Sequence, residues 1–166
     1  MSTRSEILIK GKNGNSIKLY HHHDGYIEGV GFDLYKRFFA KDGEWFNRKN
    51  YEGKQIIPSA SDIVNSLVKD ADEEYEITFS NHIDIEYYYE IDVEKGTLTG
   101  WSVDYIDYDE KTGNRLKEYK MVKYNKYGLN EIKELYNKWI EKKKQREENE
   151  SRDNIASRVQ DPYPLG

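Results

Sequence analysis

The sequence contains no cysteine. This absence excludes a disulfide scaffold, a thiolate zinc site and a cysteine nucleophile, and it favours a reducing, cytoplasmic environment. Long hydrophobic runs are also missing, so we expect neither a signal peptide nor a membrane span. Apolar residues are scarce overall, because the mean hydropathy is −1.00 and only 36% of the 166 residues are hydrophobic.

Aromatic residues, in contrast, are abundant. They make up 14% of the chain and include fifteen tyrosines. Disordered chains are poor in aromatic residues, so this composition predicts a folded protein with a thin, aromatic-rich core. The length suits one domain. We predict a single domain over residues 1–150 and a polar C-terminal tail over 151–166.

Alternation of apolar and polar residues predicts an antiparallel sheet. Strands over 6–10 and 16–20 flank a Gly- and Asn-rich loop, and strands over 83–93 and 97–106 form a second hairpin. A further strand is predicted over 116–124. In 83–93 the odd positions, such as Ile83, Tyr87 and Ile91, are apolar or aromatic, whereas most even positions are acidic. One sheet face should therefore be buried, with Trp101 in the core, and the other exposed.

Apolar residues at helical spacing predict three helices, over 28–40, 60–69 and 130–148. Ser59 is expected to cap the second helix and Asn130 the third, because serine and asparagine accept hydrogen bonds from the first helical N–H groups. The predicted fold class is therefore α+β. An antiparallel sheet carries about three helices on its Ile83/Tyr87/Ile91 face, with a long C-terminal helix and a polar tail.

Acidic residues are concentrated between Asp70 and Glu110. This segment holds fourteen acidic residues and one basic residue, Lys95, a net charge of −13 compared with −5 for the whole chain. An exposed acidic face would attract a basic partner and repel nucleic acid. Alternatively, the acids form an ordinary solvated face that the basic residues of 111–150 balance. The residues predicted to form a binding surface are Asp84, Glu86, Tyr88, Glu90, Asp92, Asp104, Asp107, Tyr108 and Asp109.

Three consecutive histidines, at positions 21–23, form the most unusual stretch of the chain. If the backbone is extended there, His21 and His23 share one face and could bind a divalent metal together with Asp24 or Glu28. We predict instead that the histidines are structural and that the protein holds no metal and no cofactor.

A catalytic arrangement is the other possibility in this region. Removal of Met1 would expose Ser2 as an N-terminal nucleophile, with His22 as its base and Asp24 as the group that orients the base. In the structural alternative, His22 and Asp24 hydrogen-bond a turn and Tyr26 packs beneath the first helix.

The N-terminal region also carries a specific residue pattern. It begins with Ser2-Thr3-Arg4 and continues with Tyr20-x-His22-x-Asp24-Gly25-Tyr26-x-Glu28-Gly29-Val30-Gly31. This pattern resembles a group of small, mostly uncharacterised bacteriophage and mobile-element proteins, in which S-T-R-A precedes Y-x-H-W-D-G-Y-P-E-G-V-G. Ser5, His23 and Ile27 depart from that pattern. The resemblance extends over residues 1–40 and implies a phage or prophage origin, without implying an activity.

The leading hypothesis is a phage- or prophage-encoded, non-enzymatic binding protein. It would inhibit a bacterial defence protein or a host nucleic-acid-handling protein through an acidic, Tyr-rich surface, in which carboxylates imitate phosphates and tyrosines anchor the interface. One alternative is a small hydrolase or metal-dependent enzyme that uses His22 and Asp24. A second alternative is a protein that sequesters a nucleotide signal. No direct nucleic-acid or membrane contact is expected, and the oligomeric state stays open.

Overall fold

The computed structural model describes residues 2–41, 45–70 and 72–159. It contains a six-stranded mixed sheet with strands β1 (Ser5–Lys10), β2 (Ser16–His21), β3 (Tyr75–Ile77), β4 (Tyr87–Asp92), β5 (Thr97–Tyr108) and β6 (Arg115–Tyr127). The helices are α1 (Phe32–Phe38), α2 (Ala60–Val68) and α3 (Leu129–Val159), and a π-helical turn (Ile27–Gly31) leads directly into α1. The predicted α+β class is confirmed.

The strand order in the sheet is β3-β2-β1-β4-β5-β6. Four neighbouring pairs are antiparallel, but β1 and β4 are parallel, which corrects the prediction of a purely antiparallel sheet. Parallel neighbours require a long crossover between them. Here the chain between them holds β2, α1, α2 and β3, so no turn beside β1 or β4 could reveal their relative direction in the sequence.

One face of the sheet, the helix face, carries the main core. Ile7, Ile9 and Leu19 are fully buried there, and α2 packs across β1, β2 and β3. The turn before α1 packs on β4 and β5. A Cβ atom at Gly100 would lie 2.8 Å from the Tyr89 ring and 3.1 Å from Ile27, so this contact requires glycine.

The second face of the sheet carries a separate aromatic cluster. Tyr20, Ile85, Tyr88 and Val103 are buried in it, and Trp101 is one of several partly buried residues packed against it. Two predictions about this region are therefore wrong. Tyr88 is buried rather than exposed, and Ile85 lies in this cluster rather than on the face of Ile91. The strand predicted over 83–93 begins only at Tyr87, and Ile83 is exposed.

Two of the helix predictions are confirmed in their essentials. Ser59 caps α2 through a capping box, in which Asp62 N donates to Ser59 Oγ at 3.1 Å and Ser59 N donates to Asp62 Oδ2 at 3.2 Å. In the first predicted helix Val30, Leu34 and Phe38 are buried, as their four-residue spacing indicates, but α1 itself ends at Phe38.

The third helix is longer than predicted. The chain forms two compact units, one that ends at Ile132 and a second that begins at Lys133. Of the predicted apolar stripe only Ile132 is fully buried, and α3 continues to Val159. Residues 151–159 of the predicted tail are therefore helical, whereas 160–166 lie outside the described residues. None of the helices in the described ranges is both long and apolar enough to cross a membrane.

Candidate functional site

A group of polar side chains surrounds Tyr20, at the β3 end of the sheet. The Tyr20 ring stacks on His82 with centroids 4.0 Å apart and meets the edge of His22 at 4.5 Å. Burial raises the pKa of the Tyr20 hydroxyl, and the Asp84 carboxylate raises it further because it disfavours a second negative charge. The Tyr20 hydroxyl is therefore neutral. Through its ring contact with His82, Tyr20 links β2 to the chain segment that crosses this strand.

That chain, residues 78–86, is called here the crossing segment. Side chains from β2 and from the residue before β1 hold it, since Lys18 Nζ donates to Asn81 Oδ1 at 2.7 Å and Arg4 pairs with Asp84 at 2.5 Å. Backbone bonds fix both ends, with Thr78 N donating to Lys18 O and Glu86 N to Arg4 O, each at 2.9 Å. The crossing segment is therefore a fastened loop rather than a free connection.

Glu6 is the central fastening residue. Its side chain is only 2% exposed, and Oε1 accepts hydrogen bonds from His82 N at 2.8 Å and His82 Nδ1 at 3.0 Å. Lys18 Nζ lies 3.7 Å from the other carboxylate oxygen. A buried carboxylate is stable only with such partners. Sequence reasoning did not single out Glu6, Lys18 or Asn81, because their contacts join residues 63 to 76 positions apart.

Three large apolar side chains lie in solvent on or beside the crossing segment. Phe79 is 97% exposed, Ile83 is 54% exposed and Ile77, at the end of β3, is 50% exposed. A groove of about 470 Å³ lies between Phe79 and the edge of β2, lined by Leu8, Ser16, Ile17, Lys18, Ile77, Thr78 and Phe79. The apolar side chains thus lie beside a recess that could take a partner's side chain.

Acidic residues flank these apolar side chains. Residues 72–86 contain no lysine or arginine, and their six acidic residues are all exposed: Asp72, Glu73, Glu74, Glu76, Asp84 and Glu86. We call the exposed residues of 72–86 the β3-end surface. Its charge is negative except where Arg4 pairs with Asp84.

The three histidines each face a different glutamate of this surface. The distance from the histidine Nε2 to the glutamate carboxylate is 3.4 Å for His22 and Glu76. It is 3.6 Å for His23 and Glu74, and 3.9 Å for His21 and Glu73. His21 is buried against Tyr75, and His23 is exposed. No three His, Asp or Glu side chains of the described residues are grouped to hold a metal ion. The alternative metal site at His21, His23 and Asp24 is thus not assembled.

The alternative catalytic residues are likewise separated into different contacts. His22 pairs with Glu76, whereas Asp24 accepts a hydrogen bond from the Tyr26 hydroxyl at 3.2 Å. Ser2 is exposed at the start of the described chain. His22 and Asp24 therefore contact Glu76 and Tyr26 respectively.

The glycine-rich pattern of residues 24–31 has a packing explanation. A Cβ atom at Gly29 would lie 1.9 Å from the Asp24 carbonyl oxygen, and one at Gly25 would lie 2.9 Å from the backbone of Arg4. Gly25 N donates to Thr3 O at 2.9 Å, and the buried Tyr89 hydroxyl donates to Gly25 O at 2.6 Å. The pattern thus locks the N-terminal segment, the turn and β4 together.

The structure spreads the predicted acidic binding residues over several places. Asp84 and Glu86 belong to the crossing segment. In β4, Glu90 is half-buried between Lys10 Nζ at 3.1 Å and Lys123 Nζ at 3.7 Å. Lys123 also lies over the Tyr88 and Trp101 rings, 4.8 Å and 4.1 Å from their centroids. Cations from β1 and β6 therefore neutralise the acid at the centre of the predicted face.

The remaining predicted residues have turn and hairpin contacts. Asp92 accepts from Lys95 N at 3.0 Å, and Asp109 accepts from Lys111 N at 2.8 Å and Thr112 N at 3.1 Å. Asp104 accepts a hydrogen bond from the neighbouring Tyr105 N at 2.9 Å. Asp107 pairs with Arg115 at 3.6 Å, and Tyr108 lies opposite Arg115 in the β5–β6 hairpin. Each of these side chains is thus engaged in a turn or in the β5–β6 hairpin.

Comparison of the chain with protein-family models, with curated proteins and with solved structures finds no match in any of the three.

Proposed function

We propose that this chain is a non-enzymatic binding protein that recognises another protein through the β3-end surface. The observation that carries the proposal is Phe79, which is 97% exposed on a segment whose backbone and side chains are fastened to β1 and β2. Exposed large apolar side chains that cluster and are rimmed by polar residues are typical of interaction sites.

The fastening matters to the energetics of binding. Ordering a flexible loop when a complex forms reduces the affinity, and a loop that is already ordered avoids that loss. The crossing segment is held by Lys18, Glu6 and Arg4 before any partner arrives. Phe79 and Ile83 are therefore presented as preorganised anchors, and aromatic anchors contribute a large share of interface energy.

The charge of the surface supports a partner with a basic contact region. Six carboxylates without a lysine or arginine among residues 72–86 would attract such a region and accelerate its encounter. The resemblance of residues 1–40 to bacteriophage proteins supports a bacterial host protein or a defence protein as the partner. If the basic contact region of the partner is a groove that binds nucleic acid, this chain would block the groove and so inhibit the partner.

The proposal is tested by capture of a partner with matched variants. Tagged wild-type protein, Phe79→Ala and Tyr51→Ala are each incubated with bacterial lysate, and the bound proteins are identified by mass spectrometry. Tyr51 is the control because it is also an aromatic residue with 97% exposure, but it lies outside the β3-end surface. We expect a protein retained by wild type and Tyr51→Ala and lost with Phe79→Ala. Equal retention by all three proteins would contradict the proposal.

A further inference from the structure

We infer that the partner contributes an extended, basic segment that adds as a strand to the open edge of β3. This inference rests on the proposed function and names the chemistry of the segment that is bound. It is carried by three features of the β3-end surface: an edge with outward backbone groups, apolar side chains beside that edge, and a negative charge along it.

The first feature is the edge itself. β3 is the terminal strand, and within the part of the chain that the structure describes no strand pairs with its outer side. Thr78 N donates to Lys18 O, so the backbone N–H and C=O groups of Thr78 point toward β2. Those of Glu76, two residues earlier on the same strand, point the same way. Because antiparallel bonding alternates along a strand, Tyr75 and Ile77 direct their N–H and C=O groups outward. An added strand would satisfy these groups.

The second feature is the apolar contact available to such a strand. β3 has only three residues, so backbone bonds alone would hold a partner weakly. Ile77 and Phe79 are exposed at the end of the strand, beside the groove of about 470 Å³. An apolar side chain of the added segment could enter this groove, and the apolar surface that it buries would add to the affinity.

The third feature is the charge, which selects the kind of segment. Glu74 and Glu76 flank the edge, with side chains 57% and 63% exposed. Lysine or arginine in the added strand would pair with these carboxylates, whereas an acidic segment would be repelled. Docking of β3 against β3 of a second copy is disfavoured, because it would bring two sets of six carboxylates together.

The test is a selection of 12-residue peptides from a random display library on the full-length protein. We expect the enriched peptides to carry an excess of lysine and arginine with apolar residues at alternate positions. Their affinity should fall at least tenfold for the double variant Glu74→Lys/Glu76→Lys. It should be unchanged for Glu94→Lys/Glu118→Lys, which reverses two exposed acids elsewhere.

A second arm tests strand addition directly. The best peptide is synthesised with N-methyl groups on its odd residues or on its even residues, because only alternate N–H groups of an added strand bond to the edge. We expect one form to lose at least tenfold in affinity and the other to bind as the parent does. Equal affinities of the two forms, no enriched peptide, or enriched peptides without basic residues would each overturn the inference. A lysate partner that depends on Phe79 but not on a peptide segment would leave the proposed function standing and remove only this inference.

Discussion

Replacement of Glu6 by alanine should both destabilise the protein and release the crossing segment. The carboxylate accepts two hydrogen bonds from His82, at 2.8 Å and 3.0 Å, and lies 3.7 Å from Lys18 Nζ. Hydrogen bonds to a charged group contribute about 1.5–3 kcal/mol each. Removing the acceptor also leaves the His82 N–H without its partner. Lys18 can turn toward water, so the loss of its carboxylate partner adds little to the cost. We therefore expect the free energy of unfolding to fall by about 3–4 kcal/mol, mainly from the two hydrogen bonds to His82.

The assays are urea unfolding and thermal unfolding at pH 7, each monitored by circular dichroism. For a chain of this size a loss of 3 kcal/mol corresponds to a decrease of about 6–12 °C in melting temperature. Glu6→Gln keeps one acceptor oxygen for His82, so it should lose about half as much. Glu118→Ala, at an exposed position of β6, is the control and should change the stability by less than about 0.5 kcal/mol.

Hydrogen exchange separates the two consequences of the Glu6 change. In Glu6→Ala the amides of the crossing segment should exchange faster than in wild type, under conditions where β4 and β5 remain protected. A loss below about 1 kcal/mol, or unchanged exchange at His82, would show that Glu6 does not fasten the crossing segment.

Three further predictions concern the turn at Gly29, the loss of stability at acidic pH and the loss of stability at alkaline pH. Gly29→Ala should lose about 3 kcal/mol or more in unfolding free energy, because its Cβ would lie 1.9 Å from the Asp24 carbonyl oxygen and the backbone must move. A hydrogen bond from Arg37 lowers the pKa of Asp70, so its stabilisation is present above about pH 4 and lost as the pH falls through the lower native pKa. The melting temperature of Asp70→Asn should therefore approach that of wild type as the pH falls below the native pKa of Asp70. Burial raises the pKa of Tyr89 well above its ordinary value, so the native state disfavours ionisation and loses stability above about pH 10. Tyr89→Phe should be less stable than wild type at pH 7, where it loses the bond to the turn, and closer to wild type at pH 11.

The parts of the fold that depend on local contacts could be predicted from the sequence. Both hairpins, the Ser59 cap and the buried Val30, Leu34 and Phe38 follow from turn residues, capping chemistry and helical spacing within a few positions. The direction of β1 relative to β4 could not be predicted in this way, because the crossover between them sets it.

The candidate site could be predicted only in part, for the same physical reason. The excess of acids after residue 70 is visible in the sequence, and Asp84 and Glu86 do belong to the β3-end surface. However, strict alternation would place Ile83, Ile85 and Tyr87 on one face. Contacts from Arg4 and Glu6 instead hold residues 81–86 across the second face, and they replace the strand that the pattern predicts. Phe79 is a lone aromatic residue in a polar stretch, and only the three-dimensional structure reveals that its loop is fastened.

The most direct test of the account is the dissociation constant for a purified partner captured by the wild-type protein, measured for wild type, Phe79→Ala and Tyr51→Ala. An aromatic anchor at the centre of an interface contributes about 2 kcal/mol or more. Phe79→Ala should therefore raise the dissociation constant by about 30-fold or more, whereas Tyr51→Ala should leave it unchanged. Equal dissociation constants for all three proteins, with their folds intact by circular dichroism, would contradict the claim that the β3-end surface is the binding site.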